Sequence, residues 1–503
     1  MSCDPTRGAA CAMLTFSRFR AATPRPRDEE ERSVMSTPLE GAAEQDSPAA
    51  PPRRRPRLLI VAYAFPPAGG ITVMRALSLA KYFPACGIDV HVLAARNPAV
   101  PVRDPGLLAH VPPSVSIHRA FSPELPFYLR KRLWERVAGG GSSSEADSTP
   151  PPPPRWKSAL AEAARRVFCP DPQVVWTPFA IAAARRIIRR CQIDAVLVTA
   201  PPFSVFLIGN ALKRAFPQLR LISDFRDEWL RFYLTDFEFL RSDAIRRRAE
   251  QIERETVRLS DLVVAVTASS LREIRSRYPA EPDSKFALVH NGYDPDALKP
   301  LFAGSEDAPR PKRDKVVITH IGTAYSTASP AFYFQALDGL PDAIRSRIET
   351  RFIGRISETE QRLLARRGES VRLLGFLPQA EALRHIADTD YLLLTMTNEF
   401  SLPGKLFEYL ASSKPIIALS PRGGEVDRLI AETGAGWCVP HDDPQAVRRI
   451  LEEAVRHALE GTVPFRTRRD VVARYERPRL VAEYARILRE RLFPEAPPAD
   501  AID

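Results

Sequence analysis

The chain has 503 residues, too many for a single core, and therefore predicts two or three domains. With 45% hydrophobic and 26% charged residues, its composition is that of a globular protein, which excludes a fibrous or wholly disordered chain. The formal net charge of +11 favours an anionic partner: a membrane surface, a phosphorylated small molecule or nucleic acid. No RNA-binding or zinc-finger signature supports the last of these.

Residues 1–55 are rich in proline, arginine and acidic runs and lack periodicity, so they read as a disordered extension, with Met35 as an alternative start. The N-terminus lacks the apolar core and cleavage site of a signal peptide. Order begins with a buried strand at Arg57–Ala64, a loop at Phe65–Gly70, a helix at Ile71–Phe83 and a strand at Ile88–Ala94. A Gly/Ser and polyproline segment, 139–154, reads as a flexible insertion. Alternation resumes with a helix at Phe179–Arg190, a strand at Ala195–Thr199 and a helix at Ser204–Ala215. Strands at Leu219–Ser223 and Leu262–Val266 follow, with a long charged helix over Ser242–Leu259 between them. From Lys315 strands are expected at Val316–Ile321, Ile348–Ile353, Val371–Gly375, Tyr391–Met396 and Pro415–Ser420, each followed by a helix. Strand–helix alternation twice over predicts an α/β chain with two doubly wound parallel sheets, and ligands in the cleft between them.

The longest apolar stretch, Ile193–Leu212, contains Asp194, Pro201, Pro202 and Asn210 and is a poor membrane span, so the chain is not expected to cross a membrane. The six cysteines (Cys3, Cys11, Cys86, Cys169, Cys191 and Cys438) form no C-x-x-C pair or other metal-ligand spacing and read as reduced thiols of a cytosolic protein. Two stretches, 127–137 and 156–166, mix aromatic and basic residues. They suit either an interfacial helix on anionic lipid or a solvated basic face beside a core stripe.

The most informative run is Pro-Gly-Lys-Leu-Phe-Glu-Tyr-Leu-Ala over 403–411. Pro403 suits the first position of a helix, which places Lys405 in the first turn, where the helix dipole disfavours a cation. An anion at the same helix end would offset that cost. Glu408, three residues on, shares the face of Lys405. A cation for phosphate and a carboxylate for ribose hydroxyls suit a nucleoside diphosphate; a surface Lys–Glu pair is the alternative.

Five segments, in order, resemble those of the GT-B glycosyltransferases, specifically the family 4 retaining enzymes of exopolysaccharide and lipid-linked glycan synthesis. These are Phe-Pro-Pro-Ala-Gly-Gly (65–70) with Arg75, Asp-Phe-Arg-Asp-Glu-Trp (224–229), Asn-Gly-Tyr-Asp (291–294), His-Ile-Gly-Thr (320–323) with Tyr325, and the 403–411 run. The resemblance covers roughly 57–490. It implies two facing Rossmann-like domains with a deep interdomain cleft, an acceptor domain at 56–298 and a donor domain at 299–470. A helix at 471–492 would cross back to the first domain, leaving a tail at 493–503.

The resemblance also implies roles. Arg226 and Asp227 would line the catalytic pocket, where a structural ion pair is the alternative. Gly404, Lys405, Glu408, Gly322, Thr323 and Phe376 would bind the donor, with Glu408 accepting the ribose hydroxyls; Phe376 could equally be core. Gly69, Gly70 and Arg75 would form an acceptor or phosphate loop, and Asn291 and Gly292 an interdomain hinge or a plain turn. His320, read as starting a loop, is either a site residue or a core histidine. Two departures stand out. Family members often carry two glutamates with seven residues between them, and here the first position is Phe400, with Glu399 off by one. The loop 324–330, where many members hold diphosphate cations, has none, which leaves Lys405 and Arg355.

The expected reaction is transfer of a hexosyl group from a UDP- or GDP-linked sugar to a hydroxyl of a glycan or lipid-linked acceptor. It would proceed with retention and without a metal or other cofactor, in the cytoplasm or on the inner face of the plasma membrane. The alternatives are a non-catalytic sugar-nucleotide sensor or scaffold and a sugar-nucleotide epimerase.

Overall fold

The computed structural model describes residues 54–124, 129, 168–233, 243–299, 314–365, 367 and 370–496. The expected extension over 1–55 apart from Arg54 and Arg55, the insertion at 139–154, the basic aromatic stretches apart from Leu129, and the end of the tail lie outside these residues.

Two parallel sheets organise the chain. The first has seven strands: β1 (Arg57–Val61), β2 (Asp89–Ala95), β3 (Ser116–Ala120), β4 (Ala195–Ala200), β5 (Arg220–Phe225), β6 (Leu262–Ala265) and β7 (Phe286–Leu288), in the order β3-β2-β1-β4-β5-β6-β7. The second has six: β8 (Val316–Ile321), β9 (Ile348–Ile353), β10 (Val371–Gly375), β11 (Tyr391–Thr395), β12 (Ile416–Leu419) and β13 (Gly436–Val439), in the order β10-β9-β8-β11-β12-β13. In each, the strand order reverses beside the first strand, so the loops after β1 and β4, and after β8 and β11, open a crevice at the carboxyl edge.

The helices used below are α1 (Ile71–Tyr82), α2 (Thr177–Cys191), α3 (Val205–Ala215), α4 (Asp243–Leu259), α5 (Ala268–Arg277), α6 (Gly404–Ala411), α7 (Glu425–Thr433) and α8 (Arg477–Leu492). Their spacing places apolar residues against the sheets: Ala180, Ala184, Ile187 and Ile188 of α2 are buried, while Arg185, Arg186, Arg189 and Arg190 face outward. Strands β1 and β4 are covered on both faces and read as continuous apolar runs, as central parallel strands must. The strands not anticipated, β3, β7 and β13, are edge or terminal strands. They are too short or too polar to show a buried run.

Helix α8 returns to the first domain, where Val481, Tyr484, Ile487 and Leu488 join the core of the first sheet and Tyr484 meets Phe83 edge-on at 5.7 Å. Its approach runs alongside the other crossing. Tyr293 N–H donates to the Tyr475 carbonyl at 3.1 Å, and Arg477 N–H donates to the Tyr293 carbonyl at 2.9 Å. A Cβ on Gly292 would run into the Tyr475 carbonyl oxygen, so this glycine serves close backbone approach and not the positive φ of a turn. Asp294 ties the same hinge to α1, accepting from Lys81 Nζ at 2.7 Å and Tyr82 OH at 3.1 Å.

Candidate active site

Between the sheets lies a cleft of about 860 Å³, bounded by the loops at both switch points. Of the residues singled out above, Gly69, Gly70, Arg75, Arg226, Asp227, Asn291, Gly292, Gly322, Thr323, Phe376, Gly404, Lys405 and Glu408 stand on its wall, whereas His320 and Glu399 do not. Their contacts separate those that can meet a ligand from those that build the wall.

On the second domain, Pro403 is extended and flanks α6, so Gly404 and not Pro403 is the first helical residue. Leu406 N–H donates to the Pro403 carbonyl at 2.9 Å, while the Gly404 and Lys405 amides at the start of α6 have no intrahelical acceptor and belong to the cleft wall. A Cβ on Gly404 would press on Ile71 Cδ1 of α1, so glycine here lets the two helix starts approach across the cleft. Lys405 is half-buried, its stem against Gly322, where a Cβ would lie 3.1 Å from Lys405 Cδ. Lys405 Nζ stands 3.0 Å from His320 Nε2. His320 is not at the start of a loop: it lies within β8, buried, with Nδ1 3.2 Å from the Leu393 carbonyl. That bond places the ring proton on Nδ1 and leaves Nε2 to accept from Lys405. Burial, then the Lys405 charge, holds the His320 pKa well below its ordinary value, so the ring is neutral. Burial alone pushes Lys405 down to about 7, and no carboxylate pairs with it among the described residues. Glu408 faces the same space, with Arg477 of α8 close by. Phe376 is a 46% exposed cleft-wall ring, not core. Thr323 is exposed beside Gly322, whose φ of +129° favours glycine.

On the first domain, the 224–229 box is mostly structural. Asp224 is fully buried and accepts from Thr199 Oγ1 at 2.7 Å and from Arg75 Nη2 at 2.7 Å and Nε at 3.2 Å. Arg75 Nη1 donates to the Val289 and His290 carbonyls at 3.0 and 2.9 Å. Arg75 is therefore a tie between α1, β5 and the hinge rather than a phosphate ligand, because these partners engage its donors. Glu228 is buried on Arg277 at 2.5 Å, and Trp229 stacks on Phe203 at 4.5 Å. Arg226 also turns away from an anion, donating to the carbonyls of Ala200, Pro201 and Thr72. Asp227 alone of the box presents a half-buried carboxylate to the cleft. Burial raises its pKa, against the lowering effect of Arg226. Gly69 donates its N–H to the Val102 carbonyl at 3.0 Å, so it packs the loop instead of cradling an anion. Gly70, with φ +84°, starts α1.

Two cleft groups escaped the sequence reading. Arg477 is buried and donates Nε–H to the Gly292 carbonyl at 3.0 Å, so the crossing helix contributes a cation to the floor near Glu408. Its place two residues after Tyr475 was the available signal. Asp171 accepts from Ser204 N–H at 2.8 Å, and burial raises it to about 6. It sits in a loop with no motif.

A Glycosyltransferase Family 4 model matches residues 144–297, which hold β4–β7 of the first sheet, and a Glycosyl transferases group 1 model matches 315–457, which hold the second sheet. The chain belongs to the family 4-like GT-B glycosyltransferases. Solved structures share the fold. Anabaena Alr3699/HepE, crystallised with UDP, has 13% identity and a TM-score of 0.52, covering 86% of this chain and 100% of that one. Sucrose-phosphate synthase of Thermosynechococcus elongatus has 14% identity and a TM-score of 0.56, covering 87% and 99%. A curated protein, the probable glycosyltransferase WbjE of Pseudomonas aeruginosa, is 36% identical over 99 residues. That stretch is 19% of this chain and 25% of the relative's length.

The departures of this glycosyltransferase have a structural form. Phe400 lines the cleft, whereas Glu399 turns to the first domain and pairs with Arg231 at 3.2 Å, so Glu399 does not take the place of the first glutamate. Arg231 also stacks over Phe400 at 4.1 Å. With the Glu425 carboxylate accepting from Ser269 N–H at 2.7 Å, these contacts join the second domain to the first beside the site. The loop 324–330 forms a single helical turn over Ser326–Ala328, and Arg355 is the exposed cation on the neighbouring cleft wall.

Proposed function

We propose that the glycosyltransferase binds a nucleoside-diphosphate sugar, UDP- or GDP-linked, with its diphosphate over the start of α6 beside Lys405 and its ribose hydroxyls on Glu408. The observation that carries this reading is Lys405. A half-buried ammonium without a carboxylate partner among the described residues, at a helix N-terminus, is a site built for an anion. The complexes of Alr3699/HepE with UDP, and with UDP and glucose, support the same ligand class. Gly322, Thr323 and Gly404 give the phosphates close backbone approach, Phe376 offers a face to the base, and Asn291 and Gly292 form the hinge floor.

In transfer, the bond from the anomeric carbon to the diphosphate oxygen breaks and the nucleoside diphosphate leaves with the electron pair. The acceptor oxygen bonds to the same face of the sugar, and its proton passes to the departing phosphate oxygen, so configuration is retained. Lys405 and the helix dipole stabilise the charge on the leaving group without a metal or other cofactor. Asp227 accepts a hydrogen bond from a neighbouring hydroxyl of the acceptor sugar and so orients the attacking oxygen, whose own proton goes to the phosphate, with Arg226 holding the switch-point loop on which Asp227 stands. The acceptor is a glycan or lipid-linked glycan of cell-surface polysaccharide synthesis, reached from the cytoplasm or from the inner membrane face. No helix among the described residues is long and apolar enough to cross a membrane.

Asp227→Asn is expected to reduce turnover about 10- to 100-fold, the scale of a charged hydrogen bond of about 1.5–3 kcal/mol, with little change in donor affinity. Nucleoside diphosphate release, with and without acceptor, reads this directly. The experiment for the function is incubation with UDP- and GDP-sugars and hydroxyl acceptors, followed by NMR of the product's anomeric configuration. A product of inverted configuration would overturn the retaining mechanism. The second reading, a sugar-nucleotide sensor or scaffold, is favoured by Phe400 and the cation-free 324–330 loop. It would prevail if donors bind without release of nucleoside diphosphate.

A further inference from the structure

On the first sheet, outside the cleft wall, stands a cluster that sugar transfer does not use. His91 lies on β2 and His118 on the edge strand β3. The register pairs His91 with Ser116 and Leu93 with His118, so the two imidazoles are diagonal neighbours on one face of the sheet. Cys191 closes α2, which packs across β2 and β3. One ligand atom from each residue lies within 4.8 Å of the other two, and all three side chains are half-buried.

The distances fit a metal centre. His91 Nδ1 and His118 Nε2 face each other at 3.2 Å, with the rings stacked at 5.5 Å and 17° apart in plane. Two imidazole nitrogens held tetrahedrally at about 2.0–2.1 Å from one zinc ion stand roughly 3.3 Å apart. Zinc would therefore replace a hydrogen bond between the two nitrogens at nearly the separation they already have, with both rings tilting toward the ion. A sulfur and a nitrogen on the same ion stand roughly 3.5 Å apart, so from within 4.8 Å the thiol draws in by up to roughly 1.3 Å.

We propose that His91 Nδ1, His118 Nε2 and Cys191 Sγ form a binding site for a zinc-class transition-metal ion, with water completing the tetrahedron. Two imidazoles and a thiolate select borderline and soft ions over magnesium or calcium. Binding leaves one proton on each imidazole, at the nitrogen turned away from the metal, and releases the thiol proton of Cys191. Arg57 and Arg190 stand near the rings, and the thiolate with Asp89 offsets their charge. The ion would tie the edge strand β3 and the end of α2 to β2. Because the three ligands come from three separate elements, no spacing motif marks them in the sequence.

The test uses the full-length chain, stripped with a chelator and titrated with Zn²⁺ against a chromophoric competitor, and separately with Co²⁺ by optical absorption. The expected result is one equivalent of Zn²⁺ per chain, a raised melting temperature, and tetrahedral Co²⁺ bands with a thiolate charge-transfer band. Cys191→Ser should remove that band and weaken Zn²⁺ binding by roughly 10- to 100-fold or more, at least the scale of losing a supporting group. His118→Gln should weaken binding similarly while the metal-free melting temperature reports that each variant folds. Absence of stoichiometric binding by the wild-type chain would overturn the site, as would binding that survives both substitutions, which would place the ion on other residues.

Discussion

Lys405→Met is expected to weaken binding of a nucleoside diphosphate about 10- to 100-fold and to lower turnover about 10²- to 10³-fold. The first figure is the scale of a charged hydrogen bond, about 1.5–3 kcal/mol. The second is the loss of one preorganised group facing the charge of the leaving diphosphate. The same residue sets a pH signature. In the empty cleft burial lowers its pKa to about 7, and a bound diphosphate restores the counter-charge and raises it. Binding therefore takes up a proton. Affinity is full below about pH 7 and falls as pH rises from there toward the pKa of the bound form, by up to about tenfold per pH unit. His320 stays neutral throughout this window, since its own pKa is held well below the ordinary value. Calorimetric titrations across pH, in buffers of different ionisation enthalpy, should show proton uptake in the wild type and none in Lys405→Met.

Arg75→Ala is the largest expected loss of stability. Its guanidinium is buried, paired in two bonds with the fully buried Asp224, and bonded to two carbonyls of the hinge. Removing one member of such a pair leaves an uncompensated charge and costs about 3–5 kcal/mol. For a domain of this size, at about 2–4 °C per kcal/mol, the melting temperature should fall by on the order of 10 °C. Arg75→Ala combined with Asp224→Ala should recover part of that loss, since the orphaned carboxylate is then gone. Thermal melting of the three variants separates a structural tie from a ligand contact: a site cation lost from the cleft would leave the apo melting temperature nearly unchanged.

The sequence was most legible where burial is complete. Strands β11 (Tyr391–Thr395) and β12 (Ile416–Leu419) are fully buried and nearly continuous apolar runs, and both fall inside segments expected from composition alone. Edge strand β3, with Ser116, His118 and Arg119, carries no such signal because one side of it has no strand partner. At the site, the motifs located the cleft wall but did not say which side chains face it. Arg75, Arg226 and Asp227 lie in the matching segments, yet only Asp227 offers its polar atoms to the cleft. The difference is set by Asp224 and by backbone carbonyls far away in the chain. Glu399 and Phe400 show the same limit. A one-residue offset decides which of them lines the cleft, and the partner that holds Glu399 outward, Arg231, belongs to the other domain. The His91, His118 and Cys191 cluster is invisible to spacing for the same reason.

The most direct test is the melting temperature of the wild type and of Glu408→Ala against a panel of UDP, GDP and their sugars. A ligand at about 100 times its dissociation constant stabilises the native state by about 2.7 kcal/mol. The expected result is a clear rise with nucleotides of one base, measured over each protein's own apo melting temperature and largely lost in Glu408→Ala. No rise with any nucleotide, or an equal rise in the variant, would contradict a donor site at the start of α6.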